Sequence, residues 1–284
     1  MADATTSSSL PLAPPPWTCK ATAYVLNFYN SSSSGLPRDI VYDALEAEAP
    51  EFSSDNEGEL YKGGLCMAQI IRYGETPVGA YDELAILPGY FKRVRSTGKA
   101  KQDLRVTGIW VSQEATLLNG RKNWNIPKHL ARFIFTPMGT TSQTLQVQVF
   151  STKPSSSRPF FSATISPVPY TPSFPFNSSW LDYIGFSTHI LQPPLPSGIP
   201  ADVVVRSDKW LRSHPILKSG KAKLVWFDMK QVAQGKKGAG SGNNEEEHLL
   251  NKDENVNWWP GMRRWHLGIH CSDAILELGE PDIL

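Results

Sequence analysis

The chain predicts a mainly β protein with few helices, its antiparallel sheets curled into a barrel or a sandwich. About ten segments rich in β-branched and aromatic residues follow one another along it, which is the strand pattern of such folds. The sequence holds 23 prolines, and proline ends strands and helices because it lacks a backbone donor. One segment alone shows the i, i+3, i+4 apolar spacing of a buried-face helix. A curled sheet can enclose a pocket, and a pocket can hold a charged side chain away from water.

The elements follow in chain order. Residues 1–16 are rich in serine and proline and predict a disordered tail, because they cannot bury enough apolar surface to offset the entropy of ordering. Residues 17–284 then read as a single domain. Strands are expected at 20–29, 65–73, 81–87, 104–112, 131–136, 144–151, 159–165, 202–206, 221–229 and 264–270. Within 144–151 the run Leu145-Gln146-Val147-Gln148-Val149 alternates cleanly, so one face is buried and the other wet. The helix is expected at 37–48: Pro37 suits a first turn, and Ile40, Val41, Ala44 and Leu45 form its stripe. Residues 235–257, with a Gly/Lys/Ser run and then Glu245-Glu246-Glu247, read as a flexible loop. The basic stretch from Lys92 to Arg105 reads as a solvated hairpin.

Composition removes several classes of function. A chain of 284 residues, 40% of them apolar, can bury a sizeable core. Its formal net charge of +1 does not provide the concentrated basic surface that nucleic acid requires. Cys19, Cys66 and Cys271 are too scattered for a disulfide framework or a zinc knuckle, so a reducing, cytoplasmic setting is expected. The N-terminus has neither the basic start nor the apolar core of a secretory signal. No run approaches the roughly 18 apolar residues of a membrane span. The expected partner is therefore a small molecule, not nucleic acid or membrane. The pair His266 and His270 shares a strand face with no third ligand nearby in sequence, which favours core or rim histidines over a metal site.

The most informative segment is Gly120-Arg121-Lys122-Asn123-Trp124-Asn125-Ile126-Pro127-Lys128-His129-Leu130. It reads as a turn that places Lys128 directly after a proline, beside Trp124 and Ile126. Upstream stands Gly79-Ala80-Tyr81-Asp82-Glu83, followed by the strand at 104–112. The order Gly-x-Tyr-x-Glu, apolar strand, Gly-Arg, Pro-Lys resembles the acetoacetate decarboxylase family. The likeness extends more weakly through 221–228 and 264–276. It implies an antiparallel, cone-like β-barrel with an apolar cavity, a Schiff base formed by Lys128, and Glu83 lining the same pocket. It implies no cofactor, and a homo-oligomer as the assembly. The family's second lysine is replaced here by His129, and the glutamate after Gly-Arg by Lys122. The early strand, Tyr24-Val25-Leu26-Asn27-Phe28-Tyr29, lacks the arginine expected to hold a substrate carboxylate.

The chemistry of the candidates follows from these positions. A lysine attacks a carbonyl only as the free amine, and at an ordinary pKa near ~10.4 about one in 2,500 is neutral at pH 7. Acetoacetate decarboxylase is itself the familiar example of a lysine activated by desolvation or by a cationic neighbour. With His129 in place of the neighbouring ammonium, desolvation by Trp124 and Ile126 has to favour the free amine here.

On a strand, Tyr81, Glu83, Ala85 and Leu87 share one face and Asp82, Leu84 and Ile86 the other, so alternation alone does not choose between the two acids; the resemblance chooses Glu83, a carboxylate suited to proton transfer. Tyr81 and Trp124 are expected in the pocket wall, and His129 beside the substrate. Arg121 could pair with Glu83 or an anionic substrate, although an arginine in a turn more often binds backbone carbonyls. The expected function is a lysine-imine C–C lyase acting on a β-keto acid or related carbonyl compound. The alternatives are an aldolase or dehydratase using the same lysine, or a binding protein that has lost the chemistry. The aromatic pairs Phe28-Tyr29 and Phe160-Phe161 suggest room for a larger, polyketide-like substrate.

Overall fold

The computed structural model describes residues 10–31, 35–36, 41–49, 52, 59–93, 101–139, 143–152, 158–196, 208–229 and 263–284. Fifteen strands form one sheet. Nine of them close on themselves in the order β1 (Trp17–Ser31), β14 (Trp265–Leu278), β13 (Ile216–Asp228), β9 (Phe161–Pro167), β8 (Leu145–Ser151), β7 (Lys128–Pro137), β6 (Gly108–Val111), β3 (Tyr81–Leu87) and β2 (Glu59–Glu75), with β2 pairing back onto β1. Closure removes the exposed edges that an open sheet would leave. From β2 the sheet continues through β4 (Tyr90–Arg93), β5 (Lys101–Leu104), β11 (Ile190–Gln192), β12 (Leu211–Ser213) and β15 (Asp282–Ile283), and β10 (Phe174–Asn177) lies against β13. The barrel alternative is the one adopted.

Strands β3 and β6 bury both faces, while β7, β13 and β14 leave residues exposed. Leu26, Ile70, Leu84, Ile86, Trp110, Ala131, Val147, Phe161 and Phe227 meet in one core, to which β1, β2, β3, β6, β7, β8, β9 and β13 all contribute. The alternating residues of β1, β2, β3 and β6, among them Val25, Ile71, Tyr73, Tyr81 and Ile109, bury against a second core on the opposite face. Period-two alternation therefore separates a filled ring from a second layer, and the cavity lies in that second layer.

The strand expected at 202–206, the loop expected at 235–257 and residues 37–40 of the expected helix lie outside the described residues. Several other expectations are corrected. Within 41–48 the helix is short: α1 (Ala44–Ala47), capped by the Asp43 side chain on Leu45 N. The strand expected at 104–112 is two strands, broken at Arg105-Val106-Thr107. The hairpin of β4 and β5 forms, but Arg105 is buried with its guanidinium 4.4 Å above the Phe91 ring.

Leu10 to Pro16 do not form a loose tail. Asn119 Nδ2 donates to Pro11 O, Ala13 N donates to Asn119 Oδ1, and Asn123 Nδ2 donates to Ala13 O. Leu10 and Ala13 pack on the second core. The two asparagines supply the polar partners that this irregular backbone needs.

The largest correction is helix α2 (Glu114–Trp124), which occupies the region read as a turn. Strands β6 and β7 are parallel, and a parallel pair needs a crossover, which α2 supplies. A third helix, α3 (Trp180–Tyr183), is a single turn. Among the described residues no helix is long and apolar enough to cross a membrane.

Candidate active site

Register brings Lys128 and Glu83 together. Glu83 of β3 pairs with Val111 of β6, which pairs with Leu130 of β7, so Glu83 and Lys128 share one face with β6 between them. Two inter-strand steps of about 4.8 Å separate their backbones, a span that two long side chains can bridge. Lys128 Nζ donates to Glu83 Oε2 at 2.8 Å and to Thr116 Oγ1 at 2.9 Å. Both charged side chains are buried. The Tyr73 hydroxyl donates to the other Glu83 oxygen at 3.2 Å. Burial, followed by the nearby Glu83 charge, holds the Tyr73 and Tyr81 phenols well above their ordinary range, so both remain hydrogen-bond donors at neutral pH. The Tyr81 ring lies beneath the ammonium, 5.1 Å from Nζ to its centroid.

Helix α2 positions the lysine. Thr116, Gly120 and Trp124 recur at four-residue spacing and so share one helix face. Thr116 bonds the amine, while Trp124 lines the cavity and donates from Nε1 to Gly279 O. Gly120 leaves room for the lysine stem: a Cβ there would lie 2.6 Å from both Cδ and Cε of Lys128. The helix stops at Asn125, which takes the left-handed conformation with φ 53°, and asparagine tolerates that region better than most residues. Pro127 follows and blocks continuation. Lys128 is accordingly the first residue of a strand, not part of a turn.

Gly120→Ala carries a specific expectation. Alanine suits a helix better than glycine by about 1 kcal/mol, so the fold should survive, but the Lys128 stem must move. A displacement near 1 Å at a reacting group can cost on the order of 10²-fold in rate. The rate of the imine formation at Lys128 that the sequence resemblance implies should fall by that order with the thermal midpoint nearly unchanged, and an unaltered rate would contradict the role given to Gly120.

The cavity has a volume of about 370 Å³. Trp17, Met67, Ile71, Leu87, Val106 and Ile126 are among its apolar walls, and Tyr73, Tyr81, Glu83 and Lys128 among its polar ones. Among the described lining residues Lys128 is the one cation. Cys19 also lines it, but burial, followed by the Glu83 charge, pushes its thiol up to about 11, so it is no nucleophile at neutral pH.

Two expected pocket residues lie elsewhere. Arg121 points away from the cavity. Its Nη1 donates to Glu46 Oε1 at 3.0 Å and to the Lys128 carbonyl at 3.3 Å. His129, the next residue along β7, faces the other way, as strand alternation requires. Its Nε2 lies 2.7 Å from Glu46 Oε2. Burial alone would raise the Glu46 carboxyl, but the bonds and charges of His129 and Arg121 outweigh it and hold the group below its ordinary value.

Nor do Phe28, Tyr29, Phe160 and Phe161 line the cavity: Phe161 is in the ring core with Phe28 and Phe160 against it, and Tyr29 is exposed. His266 and His270 are ring-packed against Phe28 and Tyr24. Sequence reasoning does not find Thr116 or Tyr73, and it reads Gly120 as part of the Gly-Arg motif without a role. Thr116 and the role of Gly120 are hidden with α2, whose four-residue spacing of Thr116, Gly120 and Trp124 is the available signal.

No family model matches the chain, and no curated protein sequence matches it. Solved structures do. An acetoacetate decarboxylase from Legionella pneumophila superposes with a TM-score of 0.54 at 12% identity, over 99% of this chain and 92% of that one. An acetoacetate decarboxylase-like enzyme from Sphingomonas wittichii RW1 gives 0.57 at 12% identity, over 100% and 99% of the two chains. The enduracididine biosynthesis enzyme MppR, complexed with the condensation product of pyruvate and imidazole 4-carboxaldehyde, gives 0.51 at 11% identity, over 98% and 92%. At such identities the likeness is one of fold. The chain has the acetoacetate decarboxylase-like fold, at a large distance in sequence.

Proposed function

We propose that the chain is an enzyme that forms an imine between Lys128 and the carbonyl of a largely apolar substrate, and cleaves a C–C bond next to it. The observation that carries this reading is a buried amine, bonded to a buried carboxylate, facing an apolar cavity. The fold likeness supports it. In the reaction, the proton shared by the pair passes to Glu83, and the free amine adds to the carbonyl carbon. Glu83 returns that proton to the carbinolamine oxygen and relays a second one to it from the nitrogen, so the oxygen leaves as water and a protonated imine remains. The iminium then accepts the electron pair of the breaking C–C bond, and the enamine takes a proton at carbon before water releases the product. Tyr73 keeps Glu83 oriented by bonding the oxygen that Lys128 does not use.

A second reading, aldol condensation or dehydration through the same imine, has an observation of its own. Apart from Lys128, no described lining residue offers a cation to a substrate carboxylate, which favours a neutral carbonyl compound over a small keto acid. The MppR complex places a pyruvate–aldehyde condensation product on a protein of this fold.

Incubation with a medium-chain methyl ketone and borohydride tests both readings. One reduced adduct per chain is expected, on the peptide carrying Lys128. An intact mass that stays unmodified leaves the binding-protein alternative in its place. If adducts form, turnover of β-keto acids then separates decarboxylation from aldol chemistry.

A further inference from the structure

A second cluster of ligand-type side chains stands at the cavity wall, distinct from the lysine site. Continuing the β11–β12 register of Ile190↔Ser213 by one step sets His189 opposite His214. Their rings accordingly lie side by side, with centroids 4.1 Å apart. Asp182 of α3 completes the group: its Oδ2 lies 3.1 Å from His214 Nε2. One ligand atom from each of the three lies within 4.8 Å of the other two. Thr188 orients the carboxylate, its N and Oγ1 each donating to Asp182 at 2.8 Å, and Oγ1 also lies 2.8 Å from His214 Nε2. Arg212 stands nearby, but its charge is matched by Asp103 at 3.1 Å.

We infer that Asp182, His189 and His214 form a binding site for a divalent transition-metal ion. Two imidazoles and one carboxylate are the donor set that zinc, cobalt and nickel accept, with positions left open for water or an anion. Asp182 lies on α3 and the two histidines at the end of the β11–β12 ladder, and Thr188 ties the two parts together, so little ordering is needed on binding. When the ion binds, His214 Nε2 coordinates with its lone pair, and its proton moves to Nδ1 or to solvent. Thr188 itself lines the cavity, as do Leu181 and Pro215, the chain neighbours of Asp182 and His214. An ion here would place positive charge beside a cavity that otherwise offers Lys128. The second such group, Asp43, Glu46 and His129, is a weaker candidate because the buried Arg121 guanidinium is bonded to Glu46 and would face the ion.

The inference does not depend on the imine chemistry, and its test does not read activity. Cobalt(II) and zinc(II) are titrated into the full-length, tag-free chain by calorimetry and by the visible cobalt spectrum. One ion per chain is expected, with a tetrahedral or five-coordinate cobalt band. His214→Asn and His189→Asn should each weaken binding by more than the roughly 10–100-fold that loss of an outer-shell partner costs, while Asp43→Asn leaves it unchanged. If either histidine variant unfolds, paramagnetic broadening of the His189 and His214 ring signals in the unaltered chain decides. Absence of binding, an unaltered affinity in both histidine variants, or broadening confined to His129 each overturns the inference.

Discussion

Lys128→Ala is expected to abolish imine trapping and to reduce turnover to the background of the uncatalysed reaction. No other described lining residue can replace the amine, since Lys128 is the one lysine among them and the Cys19 thiol stays protonated. The substitution should also weaken the fold at neutral pH. It leaves Glu83, buried and previously bonded to Nζ, with the Tyr73 hydroxyl and no cation. Breaking a buried pair from one side costs about 3–5 kcal/mol, mostly the penalty of the charge left behind. The double variant Lys128→Met with Glu83→Gln removes the pair as a unit and should recover much of that loss while remaining inactive. Urea denaturation of the single and double variants, alongside borohydride trapping, separates the two effects. An adduct that persists in Lys128→Ala would place the reactive amine elsewhere and end the proposal.

The second large effect is structural. Glu46→Ala should destabilise the fold by about 3–5 kcal/mol, because it strands the buried Arg121 guanidinium. Glu46 is fully buried and takes Arg121 on one oxygen and His129 on the other. Arg121 in turn holds the Lys128 carbonyl, so the loss should also slow imine formation. The pH dependence has a definite sign. A carboxyl held below its ordinary value contributes stability that is fully present above the unfolded value, about pH 4–5, and is lost as pH falls through the folded value. Stability of the unaltered chain should therefore drop on acidification below about pH 4–5, and Glu46→Gln should flatten that limb. A loss under about 1 kcal/mol in Glu46→Ala, read from the denaturation midpoint at pH 7, would show that the cluster is a solvated one.

What could be read from the sequence depended on which physical signal each element carries. The strand of Tyr81 to Leu87 was legible to the residue, because a short apolar run with both faces buried carries strand-forming residue types such as Tyr81 and Ile86. Glu83 and Tyr81 could be assigned to one face because side chains two apart on a strand point the same way. Helix α2 was not legible. Its buried face carries Thr116, Asn119, Gly120 and Arg121, so an apolar period could not reveal it, and glycine and asparagine lowered its propensity. Reading a turn there misplaces Arg121 and hides Thr116 and the role of Gly120.

His129 and Arg121 illustrate the complementary limit. Both adjoin the candidate lysine in the motif, and nearness in sequence suggested nearness in the pocket. Alternation along β7 instead sends His129 to the opposite face, where Glu46, 83 residues away, meets it. The strand-rich pattern limited the fold to a barrel or a sandwich, because local periodicity is a property of the chain itself, and the likeness of two short motifs to a known family singled out Lys128 and Glu83. Only tertiary structure decided the partners. A βαβ crossover and a closed sheet bring Thr116 to the lysine and Tyr73 to Glu83, and they bring Arg121 and His129 to Glu46; that arrangement depends on long-range pairing that no local pattern encodes.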